Sequence, residues 1–344
     1  MVPRIRTLII DDSAFARKVV REILAGNEAI EVVGAARDGE EGLQLAAELS
    51  PDVVVCDLRM PKMDGVSFVR RQMAAKALPI LILSAAAQDA AEVFDALSAG
   101  AIDVVQKPNA LATDDLRGIR GELVEKVKEA ISAPVSLLEP RRSAPAPLAA
   151  VDHPIQTAIL VLGISTGGPQ ALRRLMPLFP GDFPVPIAFV LHMPLGYTSL
   201  YAEKLNEICQ IEVKEAEEGD RLRPGLALLA QAGRHLSFRR MPNGDVLAQL
   251  SVQPLDKHHR PSVDVLFRSA AEVYRQRVLA VVMTGMGDDG REGAAWVKAQ
   301  GGSVITEDPS SCVIYGMPRS VVEAGLSDAS IPLDGMAQAI LSRL

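Results

Sequence analysis

Residues 52–65 read DVVVCDLRMPKMDG. An apolar run from Val53 to Cys56 stops at Asp57, and Pro61 and Gly65 follow. A short, unbroken, β-branched run reads as a strand buried on both faces. The acid marks the point where that strand leaves the core. The same pattern recurs on either side, at RTLIIDD (6–12), IEVVGA (30–35), PILILS (79–84) and IDVVQKP (102–108). Longer stretches with helical spacing separate these runs. In the first of them Ala16, Val19, Val20 and Ile23 share one face, and Gly26 can end the helix. Five strands alternating with helices over residues 4–131 imply a doubly wound parallel sheet, a flavodoxin-like (βα)5 domain.

Beyond this domain the pattern breaks. Residues 132–155 are dominated by proline, alanine and serine, with Arg141-Arg142 in the middle, and read as an extended linker. A short helix near Leu137 is compatible with the sequence. From residue 156 a second alternation begins, with TAILVLG, VPIAFVL, VLAVVM and SVIT as strands. PQALRRLMPLF, TSLYAEKLNEI, SVDVLFRSAAEVYRQ and REGAAWVKAQ read as helices. The PNGD tetrapeptide at 242–245, between apolar runs, predicts a β-hairpin. The expected domains are 1–131, a linker at 132–155, and a larger α/β domain at 156–344.

Composition supports two cores. The chain has 344 residues, 48% of them hydrophobic and 23% charged, more than one average domain needs. A net charge of −7 argues against a nucleic-acid binder, which needs a basic surface. Cys56, Cys209 and Cys312 are far apart and form no CxxC, which fits a reducing cytoplasm. MVPRIRTLIIDD lacks a cleavage site, and no run reaches the ~18 apolar residues of a membrane helix. A cytoplasmic monomer without membrane insertion is expected.

Ligands of parallel sheets bind beyond the carboxyl ends of the strands. In the first domain those ends carry Asp11, Asp12, Asp57, Ser84 and Lys107. Clustered carboxylates repel, and a hard divalent cation such as Mg²⁺ is the usual compensation. A carboxylate beside Mg²⁺ can attack a phosphoryl group. One acid at a strand end commonly serves solubility alone; five such positions together point to chemistry.

These residues resemble the receiver domain of two-component response regulators. The resemblance spans nearly all of residues 1–130 and rests on Asp11-Asp12, CDLRMPKMDG, LILSA and Lys107-Pro108. It implies that Asp57 is the phospho-acceptor. Asp12, Asp57 and the carbonyl of Arg59 would hold Mg²⁺, with Asp11 assisting through water. Ser84 and Lys107 would contact the phosphoryl oxygens.

The second domain yields a different set. VLGI runs into Ser165-Thr166-Gly167-Gly168-Pro169, AFVL into His192-Met193-Pro194, and VLAVVM into Thr284-Gly285-Met286-Gly287-Asp288-Asp289-Gly290. A serine, a histidine and an acid each follow a buried strand, and they meet if those strands are neighbours. The histidine can take the serine's proton, and the acid can fix the histidine's tautomer. Main-chain N–H groups near Thr166 and in the Gly285–Gly287 loop are candidates for an oxyanion hole. Taken singly, Ser165 reads as a helix cap, His192 as a hydrogen-bonded strand-end histidine, and Asp289 as neutralising the N-terminus of the next helix. His153, His235, His258 and His259 look less well placed. The chain order Ser…His…Asp argues against an ordinary α/β-hydrolase.

One rival is a dinucleotide site, because GMGDDG (285–290) fits GxGxxG by spacing and Glu307-Asp308 close the next strand. Two acids inside the loop oppose a pyrophosphate. Another rival is a response regulator whose second half only binds a partner.

The second domain resembles the catalytic domain of chemotaxis receptor methylesterases, the CheB family. The motifs are GISTGGP, VLHMP, KHHRPSVDVLF, TGMGDDG and SSCVIYGMPR. The resemblance implies Ser165 as nucleophile, His192 as base and Asp289 as orienting acid, with Thr166 and Met286 beside them. Ile164 and Asp288 stand where the family has Ala and Asn. It also implies hydrolysis of glutamate methyl esters on chemotaxis receptors, releasing methanol, and deamidation of receptor glutamines. The phosphodonor would be a chemotaxis histidine kinase. Mg²⁺ would serve receiver phosphorylation, and no cofactor the ester step. From the domain order, an unphosphorylated receiver is expected to cover the esterase cleft.

Overall fold

The computed structural model describes residues 4–84, 89–107, 115–134, 148 and 156–344. The expected linker falls mostly outside the described residues, as do the possible helix near Leu137, Pro108 and His153. The chain divides into two compact units, Met1–Arg141 and Arg142–Leu344.

The first unit alternates β1 (Ile5–Ile10), α1 (Ala14–Ala25), β2 (Ile30–Ala36), α2 (Gly39–Leu49), β3 (Val53–Asp57) and α3 (Gly65–Ala75). It continues with β4 (Ile80–Ser84), α4 (Ala90–Ser98), β5 (Asp103–Gln106) and α5 (Asp115–Ala130). The sheet is parallel with order β2-β1-β3-β4-β5. The inner strands β3 and β4 are buried along their whole length, as their unbroken apolar runs require. The order reverses between β1 and β3, so the crevice of this sheet opens where Asp11, Asp12 and Asp57 lie. Ser13, Asp38 and Asp64 each accept a main-chain N–H at the start of α1, α2 and α3. Gly26 does follow α1, in an ordinary right-handed conformation.

The second unit continues with β6 (Ile159–Ile164), α6 (Gly168–Leu175), β7 (Ile187–Leu191), α7 (Thr198–Asn206), β8 (Glu212–Glu215) and β9 (Leu226–Leu229). A hairpin, β10 (His235–Arg240) and β11 (Val246–Ser251), follows. Then come α8 (Val263–Tyr274), β12 (Val278–Val282), α9 (Arg291–Ala299) and β13 (Ser303–Glu307). The unit ends with α10 (Met317–Glu323), β14 (Ala329–Ile331) and α11 (Leu333–Leu341). The main sheet is parallel, with order β14-β13-β12-β6-β7-β9-β8. The chain starts in the middle at β6, builds outward through β7, then returns to the other side through β12. That reversal is again the switch point.

The PNGD segment makes the predicted hairpin turn, with Gly244 at φ +91°. Leu236, Phe238, Val246 and Ala248 of the hairpin join Leu266, Phe267 and Ala270 of α8 in one core. Short strands β8, β9 and β14 and helices α10 and α11 carry little periodicity of their own, and the sequence reading does not single them out. Among the described residues no helix is long and apolar enough to cross a membrane.

Gly65 packs directly beneath the end of β3. A Cβ there would lie 2.1 Å from the Asp57 carbonyl oxygen and 2.9 Å from Leu58 Cα. Main-chain atoms cannot yield as a flexible side-chain tip can. Gly65→Ala is therefore expected to destabilise the first unit by about 1–3 kcal/mol, the cost of overpacking. Urea denaturation would read this as a lower midpoint; an unchanged midpoint would show that α3 can slide away from β3.

Candidate active site

At the first sheet's crevice, side-chain oxygens of Asp11, Asp12 and Asp57 lie within 4.8 Å of one another. Lys107 Nζ sits 2.8 Å from Asp11 Oδ2 and 2.7 Å from Asp57 Oδ2. Asp57 Oδ1 accepts the Leu58 N–H at 2.7 Å. Burial pushes the Asp57 carboxyl up, Lys107 pulls it down less, and the net shift is upward. Lys107 loses by burial but gains more from its two carboxylates, so its pKa rises. Three carboxylates facing one ammonium leave the cluster short of positive charge. An all-oxygen donor set with that deficit fits Mg²⁺.

Ser84 ends the neighbouring strand, but its hydroxyl donates to Asp89 Oδ2 at 2.9 Å. The Arg59 side chain pairs with Asp89 (2.9 Å) and Glu92 (3.1 Å). Asp11, Asp12, Asp57 and Lys107 therefore converge in this state. Ser84 stands at the right strand end with its hydroxyl bonded to Asp89.

In the second unit β12, β6 and β7 are consecutive neighbours, so Ser165, His192 and Asp289 are delivered to one edge. The Ser165 N–H donates to the Thr284 carbonyl (3.0 Å) and the His192 N–H to the Ile164 carbonyl (3.2 Å). Ser165 does not cap α6. Gly167 takes that position at φ +79°, without a side-chain cap bond. A Cβ on Gly168 would lie 2.1 Å from Ile164 Cγ2 and 2.6 Å from Leu191 Cδ1, so glycine lets the turn close over Ile164.

His192 Nε2 is 3.0 Å from Asp289 Oδ2. Its Nδ1 is buried without a hydrogen-bond partner among the described residues. Asp289 also accepts from Ser262 Oγ (2.9 Å), the Val263 N–H (2.8 Å) and the Asp264 N–H (3.0 Å). Burial pushes this carboxyl up. The hydrogen bond and charge of His192, with the two main-chain donors, more than offset that and hold it well below the usual range.

The expectation that Asp289 serves the next helix is corrected here: it caps α8. Asp264 at the start of α8 caps α9, accepting the Gly290 N–H (2.9 Å) and Gly293 N–H (2.8 Å) on Oδ1. The two carboxylates are exchanged between the helices. Burial, then the charge of Asp289, push Asp264 up, and Lys257 pairs with it at 3.1 Å. This exchange also overturns the dinucleotide reading of GMGDDG. The main-chain donors that a pyrophosphate would need at α9 are already bound to Asp264.

Of the expected oxyanion loop, the Gly285 N–H is bound to the Ile314 carbonyl at 3.0 Å. Met286 is half-buried beside it. Asp288 is exposed and paired with Arg291 at 2.7 Å.

Two histidines dismissed on sequence stand near the centre. The His259 ring stacks on His192 with centroids 4.1 Å apart and planes at 19°, and His258 meets His259 edge-on at 4.7 Å. Buried His235 accepts the Ser262 N–H on Nδ1 (3.2 Å), so its Nε2 donates to the Pro254 carbonyl (3.0 Å). Burial lowers its pKa and keeps it neutral. It thereby steadies Ser262, the residue that donates to Asp289. Ser262 before an apolar-periodic run is a visible helix-start signal; its partner Asp289 is not visible from that signal.

Residues 160–340 match the family model for the CheB methylesterase, and residues 7–117 that for the response regulator receiver domain. The chain belongs to the CheB methylesterase family. A Myxococcus xanthus relative named protein-glutamate methylesterase/protein-glutamine glutaminase 5 is 49% identical, covering 98% of this chain and 97% of its own. A Halalkalibacterium halodurans relative named protein-glutamate methylesterase/protein-glutamine glutaminase is 41% identical over 99% of both chains. The crystal structure of the Thermotoga maritima CheB methylesterase catalytic domain is 40% identical, with a TM-score of 0.53. It covers 55% of this chain and 99% of that one.

In this CheB-family chain the stability held by Asp289 should follow its ionisation. Its folded pKa lies below the ordinary 3.8, so the stabilisation is complete above the unfolded value and disappears as pH falls through the folded one. Asp289→Asn should cost on the order of 2 kcal/mol near neutrality, and the gap to wild type should begin to narrow below about pH 4 and keep narrowing as the pH falls further. Denaturation curves at neutral and acid pH check this; a gap independent of pH would deny the carboxylate charge its part.

Proposed function

We propose that this chain hydrolyses glutamate methyl esters on chemotaxis receptors, releasing methanol, under control of phosphorylation at Asp57. Family membership and the names of the relatives support the reaction class. The observation that carries the residue roles is the polarity of His192. Its Nε2 faces the Asp289 carboxylate and its Nδ1 is buried, with no partner among the described residues. A carboxylate demands an N–H, so the proton belongs on Nε2 and the basic lone pair on Nδ1.

In this reading the Ser165 hydroxyl gives its proton to His192 Nδ1 as Oγ attacks the ester carbonyl carbon. Asp289 stabilises the resulting imidazolium. Main-chain donors around Thr166 and Met286 receive the oxyanion. The tetrahedral intermediate collapses, and the methoxy oxygen takes the proton from Nδ1 and leaves as methanol. Water, deprotonated by the same nitrogen, then hydrolyses the acyl-enzyme and restores Ser165 and a glutamate. With a receptor glutamine the leaving group is ammonia and the steps are the same. The ester step uses no cofactor.

In the first unit Asp57 is the proposed phospho-acceptor and a chemotaxis histidine kinase the proposed donor. Asp11, Asp12, Asp57 and the Arg59 carbonyl would hold Mg²⁺, which supplies positive charge for the phosphoryl oxygens. Lys107 pairs with those oxygens, and Ser84 leaves Asp89 to join it. The proposed division is a receiver at 1–131, a linker at 132–155 and a catalytic domain at 156–344, in a cytoplasmic monomer.

Methanol release from methylated receptor membranes tests both halves. Ser165→Ala should lower release by ~10⁴-fold or more. A small acyl phosphate with Mg²⁺ should raise release by wild type but not by Asp57→Asn. Release that survives Ser165→Ala, or a phosphodonor response in Asp57→Asn, would overturn the assignment concerned.

A further inference from the structure

Glu307 ends β13 with none of its surface exposed and has no part in the steps above. Its carboxylate meets two donors. Oε2 accepts the Thr284 N–H at 2.9 Å, and Oε1 accepts the Ser311 hydroxyl at 2.9 Å. Ser311 Oγ in turn accepts the Leu333 N–H at 2.9 Å and also lies 3.3 Å from the Asp308 carbonyl oxygen.

Thr284 is the first residue beyond β12, and it grips the nucleophile turn twice. Its carbonyl accepts the Ser165 N–H at 3.0 Å. Its hydroxyl donates to the Thr166 carbonyl at 2.9 Å and accepts the Ile314 N–H at 3.0 Å. The next residue, Gly285, lies so close that a Cβ on it would come within 2.7 Å of Ser165 Cβ. Thr284 thus links the Glu307 carboxylate to the main chain of Ser165, through its N–H in one peptide unit and its carbonyl in the next.

We propose that the Glu307 carboxylate is a positioning residue of the esterase centre: it fixes Thr284, and Thr284 fixes the turn that carries Ser165. The inference rests on the esterase reading above. Ionised, the carboxylate makes charge-assisted bonds to both donors. Protonated, it brings a third hydrogen to a site built for two, and one of its oxygens must turn from acceptor to donor. The bond to Thr284 then loses the strength that the charge gave it, and the serine turn loses part of its support.

The surroundings make this protonation accessible. Burial, and to a smaller extent the charge of Asp308, push Glu307 up to about 7 against the pull of Thr284, Ser311 and Arg174 of α6. Arg174 is itself paired with Asp334 of α11 at 2.6 Å. Another titratable neighbour is Cys312, whose thiol lies 3.7 Å from the Glu307 carbonyl oxygen and whose own pKa is pushed far up by burial.

The test is Glu307→Gln in the full chain, in the presence of Mg²⁺ and a small acyl phosphate, with methanol release from methylated receptor membranes measured at several pH values. The variant has the shape and hydrogen count of the protonated acid. Its kcat should fall about tenfold near pH 8 with KM unchanged, and the deficit should shrink to about twofold near pH 6, where the wild-type acid is itself mostly protonated. A deficit equal at all pH values, or none, overturns the proposal, since a purely structural loss would not vary with pH. If Glu307→Gln fails to fold, Glu307→Asp keeps an ionisable acid and should retain a pH-dependent deficit; a pH-independent one would overturn the proposal equally. Absence of release from wild type would overturn the esterase reading, and the inference with it.

Discussion

The second unit is organised around a single carboxylate. Asp289 accepts four hydrogen bonds, from His192, Ser262 and the first main-chain donors of α8. A buried charge is tolerated only when it is this well partnered. The same contacts that solvate it also fix where β12, α8 and β7 stand relative to one another. Its counterpart Asp264 does the same for α9. Removing either carboxylate leaves a helix N-terminus unsatisfied as well as a charge unbalanced. Orientation of the imidazole is therefore inseparable from the packing of two helices.

The first unit uses charge differently. Its carboxylates are gathered rather than solvated, and Lys107 is the cation that holds Asp11 and Asp57 together. The upward shift of Asp57 comes first from its burial, which Lys107 only partly offsets. Ser84 and Arg59 are engaged with Asp89 at the start of α4. Both sites lie where the winding of a parallel sheet reverses, because only there do two neighbouring strand ends open a crevice between diverging loops.

Much of this was legible in the residues. Unbroken β-branched runs located the inner strands, since a strand covered on both faces has no polar alternation. Asn243-Gly244 located the hairpin, because the turn needs a positive φ that glycine supplies. Ser165, His192 and Asp289 were each readable as lying in the segment that follows a buried strand. His259 was not. Its stacking on His192 depends on how the loop before α8 folds back across the sheet, and no local pattern encodes that. Glu307 was visible only as an acid at a strand end, its depth being set by the neighbours of β13.

By itself the sequence determined the two α/β layers, their strands and the set of chemically competent side chains. Periodicity, chain stiffness and turn chemistry are local properties, and they act over a few residues. Tertiary structure alone decided the adjacency of β12, β6 and β7, the exchange of Asp264 and Asp289 between helices, and the assignment of Nε2 rather than Nδ1 to the carboxylate. Those outcomes join residues about a hundred positions apart, as His192 and Asp289 are. They are settled by which arrangement leaves the fewest buried polar groups and charges without a partner across the whole unit.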